Sequence, residues 1–89
     1  MQAGKPFEIV LYGRKNCHLC EQVEQSIRLL EMEFPLRLTV VDIEEDDALH
    51  EQYMLVIPVV EIDGQEAFRS VTSVVTWEEL RAELVRRLQ

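Results

Sequence analysis

Cysteine is scarce in this 89-residue chain, which has only Cys17 and Cys20. Two residues three apart cannot staple a fold as the many crosslinks of a secreted disulfide scaffold do. Basic residues are also few. Nine Lys and Arg face seventeen Asp and Glu, giving a net charge of -8 and a pI near 4.6. That sign is opposite to what phosphate backbones and anionic lipids attract, so no nucleic acid and no membrane surface is expected as a partner. Long apolar runs are missing too. The longest early one, Phe7 to Tyr12, is interrupted by Glu8 and is too short for a signal-peptide core or a membrane span, which makes the expected location cytoplasmic. The three prolines, Pro6, Pro35 and Pro58, are scattered rather than gathered in a linker, and no repeat or low-complexity run occurs.

What is present suits a small globular unit. Apolar residues make up 47% and charged residues 29%, far from the composition of a disordered chain. The length fits one domain over residues 1–89, with 1–6 as a short loose tail. The excess of negative charge favours a soluble monomer.

Phe7 to Tyr12 has the β-branched and aromatic character of a central strand covered on both faces, and Gly13 to Asn16 breaks it. From Cys17 onward, Val23, Ile27, Leu30 and Phe34 recur at helical spacing until Pro35 ends the run. Leu36 to Asp42 reads as a second strand. The acidic run Asp42 to Asp47 suits a solvated helix start, followed by a short helix with Leu49 and Tyr53 on one side. It lacks the spacing and the glycine of a calcium loop, and no metal site is expected. Val56 to Ile62 reads as a third strand with Pro58 near its start, and Asp63-Gly64 is a hairpin signal leading into a fourth strand from Gln65 to about Arg69. Thr76 and Glu79 have the spacing of a capping box, and Trp77, Leu80, Leu84 and Leu88 form an apolar stripe behind it. The order β-α-β-α-β-β-α makes an α/β fold with a four-stranded mixed sheet flanked by helices.

The chemistry lies in Cys17-His18-Leu19-Cys20, where a buried strand gives way to a helix. At helical spacing the two Cα atoms fall within disulfide range. Cys17 is expected in the first helical turn, where the dipole and unpaired amides favour a thiolate, and Arg14 and Lys15 add charge of the same helpful sign. Cys20, one turn deeper, is expected to be more buried. Cys17 is therefore the candidate nucleophile and Cys20 the resolving thiol. His18 beside them is read as a tuning group at most. Arg14, Lys15 and Arg69 together could draw a substrate carboxylate, or be scattered surface charge. Tyr12 and Tyr53 read as core or core-edge residues. Three functions stay open on the residues alone: a dithiol-disulfide oxidoreductase, a carrier of a soft metal or iron-sulfur cluster on the cysteine pair, and a binding module whose cysteines are incidental.

The segment Gly13 to Cys20, the stretch Val41 to Leu49 through Tyr53, Val56 to Val60 and Asp63-Gly64 together resemble the thioredoxin fold, and the short length points to its glutaredoxin-like branch. The resemblance implies that Cys17 and Cys20 are catalytic, that Pro58 is cis and faces them, and that the backbone of Ile57 pairs with an extended substrate. Ile57 and Pro58 are then expected to contact substrate, and Arg14, Lys15 and His18, from their charge and their place beside the cysteines rather than from the resemblance, complete the expected substrate-binding set, with His18 tuning the pair at most. Disulfide-containing proteins or glutathione are the implied partners. No bound cofactor is implied, with glutathione as a candidate reductant. The chain departs from the better-known glutaredoxins in the His18-Leu19 dipeptide and in residues 69–76, which contain no glycine where that family holds the glutathione tail.

Overall fold

The structure is a computed structural model that describes residues 5–71 and 74–88. Most of the expected loose tail and the Thr72-Ser73 pair lie outside the described residues. The elements run β1 (Phe7–Gly13), α1 (His18–Leu30), β2 (Leu36–Asp42), a 3-10 turn (Ile43–Glu45), α2 (Asp47–Tyr53), β3 (Val59–Ile62), β4 (Gln65–Arg69) and α3 (Trp77–Arg87).

The four strands form one sheet in the order β2-β1-β3-β4. β1 pairs in parallel with β2 and antiparallel with β3, and β3 pairs antiparallel with β4. The crossover through α1 supplies the parallel pair, and the turn at Asp63-Gly64 supplies the hairpin. Both turn residues have positive φ, 52° and 84°, as a tight hairpin turn requires. Asp63 also accepts from the Glu8 amide at 2.9 Å and donates its own amide to the Glu8 carbonyl at 2.8 Å, which ties the hairpin to β1.

β1 is central in the sheet but is not covered equally on both faces, contrary to the expectation from its apolar run. Phe7, Ile9, Leu11 and Gly13 are buried, while Glu8 is exposed and Val10 and Tyr12 are half-buried. The buried set meets Val23, Ile27 and Leu30 of α1, Leu80 and Leu84 of α3, and Val60 and Ile62 of β3 in the main core. Each such aliphatic side chain contributes roughly 1.5–3 kcal/mol on burial. The other face is covered at one end only, where Ile43, Tyr53 and Val59 form a smaller cluster with Tyr12, Leu49, Val56 and Ile57 packed against it.

Several boundaries differ from the sequence pattern for local reasons. α1 ends at Leu30, although Phe34 stays buried because a turn continues past the helix, with the Phe34 amide bonded to the Leu30 carbonyl at 2.9 Å. The ring of Phe34 then meets Phe7 edge to face at 6.4 Å. β3 begins at Val59, since the peptide bond before Pro58 is cis and turns the chain there. Asp42 and Asp46 are caps: the first accepts from the Glu44 amide and the second from the amides of Ala48 and Leu49. The capping box of Thr76 and Glu79 is formed in full. Leu88, expected on the buried stripe of α3, follows the end of that helix and is 43% exposed.

Candidate functional site

The site is built on the end of β1. Asn16, with φ of 60°, swings the chain out of the strand, and Cys17 then takes an extended conformation at φ -100° and ψ 105°. Asparagine tolerates the left-handed region that the swing needs. Cys17 is therefore the N-cap of α1 and not a residue of its first turn. Its Sγ accepts a hydrogen bond from the Cys20 amide at 3.2 Å, so the sulfur satisfies one of the free donors at the helix start. The two cysteines are joined in a disulfide, with Cα atoms 5.2 Å apart. Cys20 is the deeper of the two, at 6% exposed, and Cys17 is half-buried.

Gly13 turned out to matter more than as a strand breaker. A Cβ placed on it would lie 3.0 Å from the Cys20 Sγ and 3.1 Å from its Cβ. The bare backbone at the end of β1 is what lets Cys20 seat against the sheet. A glycine ending an otherwise buried strand, just ahead of the cysteine loop, was the available signal.

The last antiparallel pair of β1 and β3 is Tyr12 with Val59, so one further step brings Gly13 level with Pro58. The cysteine loop and the cis proline thus leave the sheet at the same end. Pro58 is fully buried. The Ser70 amide donates to the carbonyls of Val56 at 3.0 Å and Pro58 at 3.1 Å, pinning the chain on either side of Ile57. The Ile57 amide and carbonyl have no hydrogen-bond partner among the described residues.

The other expected residues divide. Arg14 and Lys15 are exposed on the loop before Cys17 and make no ion pair with any described residue. Arg69 does not join them, because its guanidinium is held by Glu66 through two bonds of 2.6 Å. That pairing also keeps the Glu66 carboxyl below its ordinary range. His18 is exposed at the first position of α1, and its Nε2 bonds the Gln22 side chain at 3.0 Å, one turn along the helix. Tyr12 and Tyr53 stack with centroids 4.8 Å apart. Burial first, and then the nearby Glu61 carboxylate, push both phenols above their ordinary value. Among the described residues, no group of three or more His, Cys, Asp or Glu side chains could hold a metal ion. Nor is any described helix long and apolar enough to cross a membrane.

The model of the glutaredoxin-like domain family (DUF836) matches residues 8–89. The chain belongs to that family. Among solved structures, it is similar to a protein of Nitrosomonas europaea determined by solution NMR, at 28% identity and a TM-score of 0.72, covering 88% of this chain and 91% of that one. A protein of X. campestris is similar at 27% identity and a TM-score of 0.68, covering 88% and 96%. The likeness to thioredoxin 1 of Thermosipho africanus, at 20% identity, a TM-score of 0.69 and coverage of 91% and 93%, bears on the fold alone. No curated protein matches the chain. The mixed four-stranded sheet with three helices is the thioredoxin fold, and this glutaredoxin-like domain carries its C-x-x-C pair at the strand-to-helix junction.

Proposed function

We propose that this glutaredoxin-like protein is a thiol-disulfide oxidoreductase in which Cys17 is the nucleophile and Cys20 the resolving thiol. The observation that carries the reading is the Cys17 Sγ at the N-cap of α1, bonded to the Cys20 amide while Cys20 lies beneath it. In the reduced protein the same N–H and the positive end of the helix favour negative charge on that sulfur. Exposed Arg14 and Lys15 act in the same direction.

The reaction then runs in two exchanges. The Cys17 thiolate attacks one sulfur of a substrate disulfide, forming a mixed disulfide and releasing the other half as a thiolate. Cys20 loses its proton and attacks the Cys17 Sγ, closing the internal disulfide and releasing the reduced substrate. The internal disulfide is later reopened by an external thiol.

The substrate reading rests on Ile57, whose free amide and carbonyl beside the cis proline could pair with an extended backbone. Leu55, 84% exposed, and the exposed Val71 lie on the two segments that Ser70 joins there. An apolar, β-capable rim of this kind suits a protein segment bearing a disulfide. Glutathione remains a candidate partner as reductant, and the working state is a cytoplasmic monomer without a bound cofactor.

Replacing Cys20 by Ser leaves the first exchange intact and removes the second. Incubated with a disulfide-bearing peptide, C20S accumulates a mixed disulfide on Cys17, while C17S forms far less adduct on Cys20. Equal labelling of the two variants would overturn the assignment of roles, and absence of any adduct on either would overturn the activity.

A further inference from the structure

The second face of the sheet has little cover, and what cover it has lies at the segment that leads into the cis proline. Ile43, Tyr53 and Val59 are buried there, with Tyr12, Leu49, Val56 and Ile57 packed against them. Tyr12 comes to that face by strand alternation, since Leu11 before it belongs to the main core. Tyr53 is the last residue of α2 and the one that buries this helix. The two rings stack with centroids 4.8 Å apart and planes tilted by 34°. They therefore join the end of α2 to the end of β1.

The chain runs from this stack directly into the segment read above as the substrate strand. The Val56 amide donates to the Tyr53 carbonyl at 2.9 Å, closing a turn over Met54 and Leu55. From the other side the Ser70 amide holds the carbonyls of Val56 and Pro58. Ile57 is thus fixed twice, by a backbone clamp and by the aromatic cluster, while its own amide and carbonyl stay unpaired among the described residues. Planar rings with two side-chain torsions have few alternative packings, and a stacked pair contributes more than its buried area alone. A segment held at one height presents its backbone groups ready for a partner strand, which lowers the ordering cost of binding. The cysteine pair is supported elsewhere. Cys20 and Gly13 line a cavity of about 350 Å³ that extends to Val40 and Val41 of β2, and neither tyrosine lines it.

Resting on the reading that Ile57 pairs with substrate, we infer that the Tyr12–Tyr53 stack positions the Met54–Ile57 segment and so sets the preference of this protein for extended polypeptide disulfides over small ones. Both tyrosines act through the segment and are positioning residues. The stack has no part in the exchange at the sulfurs, so its loss is expressed in binding of a substrate that has a backbone to pair.

The test uses two substrates, an extended peptide carrying a mixed disulfide and hydroxyethyl disulfide, which has no peptide backbone. Rates are measured with dithiothreitol as recycling reductant and the uncatalysed rate subtracted. Tyr12→Leu keeps an apolar side chain and removes the stack. It should raise KM for the peptide about fivefold with kcat unchanged, and leave kcat/KM for hydroxyethyl disulfide unchanged. Tyr12→Phe keeps the ring, loses only the hydrogen bond to Glu61, and should behave as wild type on both substrates. Should Tyr12→Leu not fold, Tyr53→Leu and Tyr53→Phe give the same pair of readings from the other ring. Equal losses on both substrates, an unchanged peptide KM, or a phenylalanine variant as impaired as the leucine one would overturn the inference while leaving the redox activity standing. A wild-type KM that ignores N-methylation of the peptide backbone beside its cysteine would overturn the pairing at Ile57 itself, and failure of the wild-type protein to accelerate either reduction would overturn the activity.

Discussion

Gly13→Ala separates the two redox states of the protein. The new Cβ would stand 3.0 Å from the Cys20 Sγ and 3.1 Å from its Cβ, both tighter than ordinary van der Waals contact. The contact with Cβ is present whether or not the disulfide is formed. The contact with Sγ differs, because the bond to Cys17 fixes that sulfur in the oxidised protein, whereas the reduced side chain can rotate to another rotamer. Overpacking at a site that cannot relax costs about 1–3 kcal/mol, and we assign the lower half of that range to the sulfur alone. A penalty of about 1–2 kcal/mol confined to the oxidised state raises the reduction potential by about 20–40 mV, since 30 mV corresponds to about 1.4 kcal/mol for a two-electron couple. The potential is read from redox-buffer titrations of the wild-type protein and the variant, and denaturant melts of both states close the cycle. The oxidised variant should lose more stability than the reduced one by the same amount. Equal losses in the two states with an unchanged potential would refute the reasoning and reduce Gly13 to an ordinary strand end.

Three further outcomes follow from the geometry. Glu83 is held by Arg86 and Arg87, and these hydrogen bonds, the one to Arg86 foremost, keep its carboxyl below the ordinary value of 4.5. Its folded value being depressed, the stability from this cluster is complete above that pH and is lost as pH falls through the folded value, so the difference between wild type and Glu83→Gln should be about 1 kcal/mol at neutral pH and vanish in acid melts. Thr76→Ala opens the capping box of α3 and should cost about 1 kcal/mol, or about 4–8 °C in Tm, with Thr76→Ser restoring most of it in calorimetry. Gly64→Ala meets no atom within 4 Å but must hold φ at 84°, so it should destabilise by about 1 kcal/mol with no change in the rate of thiol exchange.

The mixed four-stranded sheet and the succession of elements along the chain were legible because each device is local: the apolar run of β1, the Asp63-Gly64 turn and the Thr76 cap are all read from neighbouring residues. The two strand-to-helix cysteines were legible for the same reason. What was not legible depends on contacts between distant segments. The engagement of Arg69 by Glu66 needed the strand register and side-chain placement, and it removed Arg69 from the expected cationic group. The cavity beside Cys20 joins the loop after β1 to the end of β2, about 25 residues further on, which no spacing rule reaches. Cys17 as a cap was missed by one position, since helix boundaries depend on the backbone swing at Asn16 and not on the apolar period. The uneven cover of β1 reflects the shortness of α2, whose seven residues cannot span the second face.

The central claim is that Cys17 and Cys20 form a reversible dithiol couple. Its most direct test is to equilibrate the protein in glutathione buffers of graded poise, quench with acid and weigh each species. The account predicts a reversible loss of two hydrogens with a single midpoint between about -270 and -120 mV, the span of potentials that proteins of this fold occupy. Cysteines that remain reduced across the whole series, or that pass irreversibly into one state, would contradict it.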